Sequence, residues 1–370
     1  MVVFIRSYLR HVDGKLAKYL KVLDEAQIPY HFVGWERGAV PAQKNSNDTY
    51  YSRPGALGAG WRSLIGIFFW NLFVLCWLLK NNRNVDLVHA IDLDTAMAVK
   101  VYAALCRKPW IFDVYDKYSS LRYFPGALGR WVDKLENYLL KTANAGILAD
   151  PCRFEQHGLS PSSLPSVMVL ENVPQKSEVQ EYVPVSDQQP VKIAYFGVLE
   201  AKNRGLEDLL AACEQFPACE LHVAGYGPLA DLFTRSAQQY SHIHYYGAQS
   251  SVQGLQIMQS CQIVVGMYYK RVPNHLFAAP NKYYEHLMLG RAMLTTAGIP
   301  TADKVRTYQT GWAVEEGQQA IAAWLQGLDR QQIQAAAARA RQVWQGQYAD
   351  YFDQHYAGQY LQTVRALRRV

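Results

Sequence analysis

The chain has 370 residues, which is too long for one ordinary hydrophobic core and fits two α/β domains of roughly 150 to 200 residues each. Half of the residues are apolar and 18% are charged, which excludes a largely disordered chain. The formal net charge of +6 suits an anionic ligand or an acidic membrane surface, and no basic arm or RNA-reading motif supports nucleic-acid binding.

Strand-like runs alternate with amphipathic helical runs through the first half of the chain, as in a parallel sheet covered by helices. The polar stretch 37–60, which is rich in Gly and Pro, predicts a loop. The pattern predicts a helix at 15–26 and strands at 2–6, 31–34, 86–91, 110–114 and 146–149.

The stretch 64–79 is apolar on nearly every side and is flanked by Arg62, Lys80 and Arg83. Its 16 residues fall short of the roughly 20 that span a bilayer, so we expect a buried helix of the first domain. The alternative is a helix on a membrane surface, with tryptophans and cations of 61–83 at the interface.

The composition changes at 171–190 to a segment without clear periodicity, which predicts a linker between domains. We expect one domain at 1–170, a second at 191–345, and a helix at 346–370 that crosses back to the first. The fold class is therefore α/β, with two Rossmann-like domains facing across a cleft and ligands beyond the carboxyl ends of the strands. The second domain is predicted to contain strands at 191–196, 220–224 and 262–266, a helix at 205–215, and helical structure from 332 onward.

A Pro-Asn-Lys turn at 280–282 opens a helix that carries Glu285 and closes at Gly290. A lysine in the first turn, beside free backbone N–H groups and the positive end of the helix dipole, suits a diphosphate. Glu285 lies one turn after Lys282 and can accept hydrogen bonds from ribose hydroxyls. The structural alternative is a solvated Lys/Glu pair.

The context in the same half favours the diphosphate. Residues 195–212 combine a strand, a turn at Gly197, a basic loop with Lys202 and Arg204, and a helix. The chain has neither a GxGxxG fingerprint nor a Gly-Lys-Ser/Thr P-loop, which argues against a dinucleotide oxidoreductase and a P-loop NTPase.

The order of these motifs resembles the donor half of family 4 type glycosyltransferases, which have the GT-B fold. The resemblance implies that Arg204 contacts the donor diphosphate and Glu285 the ribose. Segments 12–23, 32–38, 89–95 and 112–119 are similar to the acceptor domain of the same family. The donor-binding residues that this resemblance and the motifs suggest are Gly197, Lys202, Arg204, Gly225, Tyr245, Asn281, Lys282, Tyr283 and Glu285.

Two positions depart from the family pattern. Phe277 stands where the family commonly has the first of two glutamates, and Tyr115 stands where it often has a histidine. The latter segment also resembles the inverting glucuronosyltransferase of xanthan assembly, which implies that Asp116 is the catalytic base; the alternative is a helix N-cap or turn residue. The further acceptor-side candidates are Asp13, Lys15, His89 and Tyr115.

Metal ligands are not expected. Asp92 and Asp94 form an Asp-x-Asp pair without further oxygen ligands, and Asp92 is expected to cap the following helix. His242 and His244 alternate along a strand like structural residues. The six cysteines show no metal-binding spacing and are expected to be reduced.

The sequence thus predicts a glycosyltransferase that moves a sugar from a nucleoside diphosphate donor, UDP-linked, to a saccharide or lipid-linked acceptor without an obligatory cofactor. We expect a cytoplasmic protein, peripheral at the inner face of the plasma membrane if 61–83 contacts it. The alternatives are a non-catalytic glycosyltransferase-like subunit and a nucleotide-sugar epimerase on the same fold. The sugar, the acceptor, the stereochemical outcome and the oligomeric state are left open by the sequence.

Overall fold

The structure is a computed structural model of the whole chain. It describes all residues except 39–41, 44, 56–60, 165, 176–180, 186–189 and 370. For residues 61 and 62 it describes the main chain but not the side chains. The chain forms two compact units. The first combines Met1–Glu171 with Asp353–Val370, and the second is Asn172–Phe352.

The first unit is built on a seven-stranded parallel sheet in the order β3-β2-β1-β4-β5-β6-β7. Its central strands are continuous apolar runs, as expected where helices cover both faces. The strands are β1 (Val2–Arg6), β2 (Tyr30–Glu36), β3 (Asp48–Ser52), β4 (Leu87–Ile91), β5 (Trp110–Val114), β6 (Ala145–Leu148) and β7 (Val167–Val169). The helices are α1 (Gly14–Glu25), α2 (Trp61–Lys80), α3 (Leu93–Cys106), α4 (Tyr118–Leu121), α5 (Gly126–Thr142) and α6 (Cys152–Gln156).

The second unit repeats this topology with a six-stranded parallel sheet in the order β10-β9-β8-β11-β12-β13. In both sheets the strand order reverses beside the first strand, which is where doubly wound folds bind ligands. The strands are β8 (Val191–Phe196), β9 (Cys219–Ala224), β10 (Ile243–Tyr245), β11 (Ile263–Gly266), β12 (Ala292–Thr296) and β13 (Gly311–Val314). The helices are α7 (Leu206–Glu214), α8 (Ala230–Gln239), α9 (Ser251–Gln259), α10 (Asn281–Leu289), α11 (Pro300–Tyr308), α12 (Gln318–Gln326) and α13 (Arg330–Val343).

The C-terminal segment belongs to the first unit. It continues from a π-helical stretch at Phe352–Tyr360 into α14 (Leu361–Leu367). The rings of Tyr356 and Tyr360 pack against Tyr19 of α1, and Arg368 pairs with Asp86 at 2.9 Å. Aromatic packing therefore anchors the end of the chain on the α1 side of this unit.

The predicted fold class is confirmed, and two local predictions are wrong. The stretch 37–60, predicted as a loop, contains β3, a polar edge strand without the apolar alternation that marks a half-buried strand. The apolar stretch at 64–79 belongs to α2, which is 20 residues long and buries only one side, with Trp70, Val74 and Leu78 in the core. Only 22% of the 18 residues Ser63–Lys80 are buried, so α2 is not the buried helix that we expected.

Candidate functional site

Two glycine turns meet at the carboxyl ends of β8 and β9 in the second unit. Gly197 and Gly225 have φ angles of 146° and 148°, a region that side chains rarely adopt. A Cβ on Gly225 would lie 1.8 Å from the carbonyl oxygen of Gly197, so the two backbones can approach only without side chains. The turns leave main-chain groups next to the switch point of the sheet, where a ligand can contact them.

Lys282 lies against the first of these turns. Its Nζ is 4.7 Å from the centre of the Tyr195 ring, and a Cβ added to Gly197 would lie 2.9 Å from it. The residue is in the first turn of α10, whose N-terminal end carries a partial positive charge. The structure therefore brings together the predicted Gly197 and Lys282, which are far apart in the sequence.

Arg204 lies at the same edge of this sheet, just before α7. Its guanidinium is 4.4 Å from the centre of the Tyr268 ring, and its Nε pairs with Glu200 at 3.1 Å. The pair and the ring hold the guanidinium in place, and its remaining N–H groups are suited to planar oxyanions.

The electrostatics of Lys282 indicate an anion site. Burial lowers the pKa of Lys282 to about 8; the carboxylate of Glu285 opposes this change and the positive charge of Arg204 adds to it. A buried ammonium is destabilising unless negative charge compensates it, and Glu285 compensates it only in part, because the pKa of Lys282 stays below its ordinary value. A diphosphate between Arg204 and Lys282 would supply that charge.

The other predicted donor residues differ in their exposure and in their contacts. The Tyr245 hydroxyl donates to the carbonyl oxygen of Gly225 at 3.0 Å, and Asn281 is exposed at the start of α10. Lys202 is exposed, has a φ of 66°, and donates its backbone N–H to Glu207. The Tyr283 ring is buried and packs against Tyr284, His286 and Tyr348, so what it offers a ligand is its main chain.

In the first unit, the predicted acceptor-side residues divide into two groups. Asp13 accepts the N–H of Leu16 at 2.9 Å, capping α1, and pairs with Arg6 at 2.8 Å. The Tyr115 ring covers the same Arg6, with its centre 4.1 Å from the guanidinium carbon. This group lies at the carboxyl ends of β1 and β5, the edge where ligands of such sheets bind.

Lys15 and His89 form a second, buried group around Asp113. Lys15 Nζ is 3.0 Å from Asp113 Oδ1, and His89 Nε2 is 3.4 Å from Oδ2. The other nitrogen of His89 hydrogen bonds to the hydroxyl of Tyr360 at 3.0 Å. Burial lowers the pKa of His89, so the ring is neutral at pH 7 and joins the core of the unit to its C-terminal segment.

Asp116 follows β5 and pairs with Arg153 Nη2 at 3.0 Å, while 44% of its side chain remains exposed. The carboxylate can therefore meet solvent or a hydroxyl group. A general base must reach the proton that it removes, which this exposure allows.

Asp92 does not have its expected role as a helix cap. It has a φ of 63°, unusual for a residue with a side chain, and its side chain does not cap α3 as expected. Its carboxylate instead accepts the backbone N–H of Tyr115 at 2.9 Å. Burial raises the pKa of Asp92 to about 7 against the opposing charge of Arg6. Strained backbone and a shifted pKa at the end of a central strand are typical of functional positions. In the sequence, the feature that indicates such a role for Asp92 is its position directly after β4.

Comparison with solved structures supports the α/β fold class of two Rossmann-like domains. The chain matches solved GT-B glycosyltransferases over its full length at low sequence identity, so the likeness concerns the fold. No protein-family model matches the sequence, and no curated protein matches it.

Three solved structures illustrate the likeness. Sucrose-phosphate synthase from Thermosynechococcus elongatus aligns with a TM-score of 0.70 and 14% identity, over 99% of this chain and 98% of that one. HepE from Anabaena in complex with UDP-glucose aligns with a TM-score of 0.65 and 14% identity, over 100% and 99%. WaaG, a glycosyltransferase involved in lipopolysaccharide biosynthesis, aligns with a TM-score of 0.61 and 13% identity, over 96% and 98%.

Proposed function

We propose that the protein is a glycosyltransferase that transfers a sugar from a UDP-linked donor to a hydroxyl group of a saccharide or lipid-linked acceptor. One observation carries the proposal: Lys282 holds its buried ammonium against the Gly197 turn, at the sheet edge where Arg204 also lies. Cations beside a glycine turn and a helix N-terminus are the requirements of a diphosphate site. Binding of UDP-glucose by a protein of the same fold supports the choice of nucleotide.

In this proposal the diphosphate is the leaving group. Arg204, Lys282 and the first turn of α10 stabilise the negative charge that develops on it, so the reaction has no obligatory metal. Glu285 accepts hydrogen bonds from the ribose hydroxyls, as the family resemblance implies. Asp116 removes the proton of the acceptor hydroxyl, for which its exposure and its pairing with Arg153 are suited.

The proposed acceptor is reached at a membrane surface. On α2 the large apolar side chains of Leu64, Phe68, Leu72 and Leu79 form an exposed stripe, with Phe68 66% exposed. By length and composition alone this helix could cross a membrane. Since its other side packs in the core of the first unit, we propose that α2 lies in the interface rather than across it.

The neighbouring helices α3 and α5 also expose apolar side chains. Asn71 of α2 bonds to the carbonyl of Asp94 in α3 at 2.8 Å, and Lys100 of α3 lies 5.6 Å from the Tyr138 ring of α5. Exposed apolar residues continue along α3 and α5 at Met97, Val101, Leu105, Leu128, Trp131 and Tyr138.

The charges on these helices suit an anionic surface. Within the described parts of α2, α3 and α5, the exposed charged residues are cations: Lys80, Arg130, Lys134 and Lys141. The acidic residues are buried, except for half-buried Asp133, which pairs with Lys117 at 3.2 Å. Apolar burial and attraction to acidic lipids would therefore act together.

Vesicle binding tests this part of the proposal. Full-length protein should sediment with anionic vesicles more than with neutral ones, and Phe68→Glu with Leu72→Glu should abolish sedimentation. The matched control is Val252→Glu, an apolar residue 50% exposed on α9, which should bind like the wild type. Equal sedimentation of the double variant would contradict the membrane surface.

A turnover assay tests the enzymatic proposal. Purified protein with a panel of nucleotide sugars and membrane-lipid or saccharide acceptors should release UDP only when an acceptor is present. Asp116→Asn should abolish this release while UDP still binds. Release of an altered sugar without acceptor would identify an epimerase, and biological activity that survives changes at Asp116 and Lys282 would identify a non-catalytic subunit. The anomeric configuration of the product, read by NMR, decides between retention and inversion.

A further inference from the structure

Three side chains able to ligate a metal meet on one face of the second sheet, away from the glycine turns. His222 of β9 and His244 of β10 are register partners, and their rings stack with centres 4.6 Å apart. Glu220 precedes His222 by two residues and therefore lies on the same face. Its Oε2 is 3.1 Å from His222 Nε2 and 3.9 Å from His244 Nε2.

We propose that Glu220, His222 and His244 bind one Zn²⁺ ion. One ligand atom from each side chain lies within 4.8 Å of the other two. Ligands about 2.0–2.2 Å from a tetrahedral Zn²⁺ are separated by roughly 3.3 Å, so small side-chain rotations close the site. Two imidazoles and one carboxylate are a zinc donor set, with the fourth position left to water.

The surroundings of His222 favour ligation. The ring is buried and stacks on the ring of His244, so its orientation is fixed. Its Nδ1 hydrogen bonds to the hydroxyl of Tyr246 at 2.8 Å, which leaves Nε2 directed at Glu220. Because a phenol hydroxyl can donate or accept, this bond persists when a metal replaces the proton on Nε2.

One neighbouring cation opposes the site. Lys192 Nζ of β8 lies 3.5 Å from the same Glu220 oxygen and would repel a divalent ion. Its side chain is 39% exposed, so it can turn into solvent when the metal binds. This competition gives the proposal a distinctive prediction: removing the lysine should strengthen metal binding.

The metal would link the edge strand β10 to its neighbour β9. β10 has three residues and, among the described strands, pairs with β9 at the edge of the sheet. A Zn²⁺ ligated from both strands would fix their register and raise the unfolding temperature of the protein. The inference does not depend on the proposed transferase activity.

Zinc titration of the full-length, chelator-treated protein against a chromophoric chelator tests the site. We expect one tightly bound Zn²⁺ and an increase of the unfolding temperature. His244→Gln, at a position whose side chain is 37% exposed, should weaken binding at least about tenfold and remove that increase. Lys192→Met should bind Zn²⁺ more tightly than the wild type, and Tyr246→Phe more weakly.

Circular dichroism and the metal-free unfolding temperature confirm that each variant is folded. Absence of stoichiometric binding would overturn the proposal. Binding that His244→Gln and Lys192→Met leave unchanged would also overturn it, because the ion would then lie elsewhere. UDP affinity, measured on the same samples, should be unchanged in all three variants, which separates failure of this site from failure of the proposed function.

Discussion

The titration of Lys282 should make nucleotide binding depend on pH in a defined way. In the free protein its pKa is about 8, against an ordinary value of 10.5. A diphosphate beside the ammonium favours the charged form and raises the pKa. If binding restored the pKa of Lys282 to 10.5, UDP would bind the charged lysine more strongly than the neutral lysine by about 3 kcal/mol. This is comparable to a hydrogen bond between charged groups.

The sign follows from linkage. Below pH 8 the lysine is charged in both the free and the bound protein, so its titration does not change the affinity for UDP. Above pH 8 the free protein must take up a proton on binding, and the affinity should fall by up to about tenfold per pH unit. Calorimetry with UDP from about pH 7, above the second ionisation of a phosphate near pH 6, should show this decline with proton uptake.

The matched variants are Lys282→Met and the exposed Lys202→Met. Lys282→Met should bind UDP more weakly by about 1–3 kcal/mol at pH 7 and lose the decline above pH 8. Lys202→Met should keep the decline. A Lys282→Met protein with wild-type affinity and the same pH dependence would refute the reasoning.

Two further predictions concern the backbone turns and Asp92. Gly225→Ala, whose Cβ would lie 1.8 Å from a carbonyl oxygen, should lower the free energy of unfolding by more than about 2 kcal/mol in urea, whereas Gly346→Ala, with open space at its Cβ, should be nearly neutral. Equal midpoints would contradict the close approach. The pKa of Asp92 is raised from 3.8 to about 7 in the folded protein, so its contribution to stability is fully present below pH 3.8 and is lost as the pH rises to 7. Asp92→Asn should flatten this fall of stability in urea unfolding between pH 4 and 8, and a wild-type slope would contradict the assignment.

The sequence was sufficient for the fold because parallel strands are continuous apolar runs between amphipathic helices. Central strands such as β1, β4 and β8 carry that signal strongly, and they were found within one or two residues. The edge strand β3 carries polar residues and gives no such signal. The exposure of one side of α2 could not be predicted either, because an apolar helix has the same sequence pattern whether a core or a membrane covers it.

The candidate sites were predictable only where chemistry is local in the sequence. The turn at 280–282 and the basic loop at 202–204 indicate a phosphate site by their own residues. The approach of Lys282 to Gly197 depends on β8 and β11 being neighbours, which spacing does not reveal. In the same way, the register of His244 with His222 is a property of the folded sheet that the sequence does not show.

Calorimetric titration of the full-length protein with UDP and GDP, repeated on Arg204→Met, tests the central claim most directly. The account predicts micromolar binding of UDP, weaker binding of GDP, and a loss of about 1–3 kcal/mol when the guanidinium is removed. A folded protein that binds neither nucleotide, or binds UDP equally well without Arg204, would contradict the account.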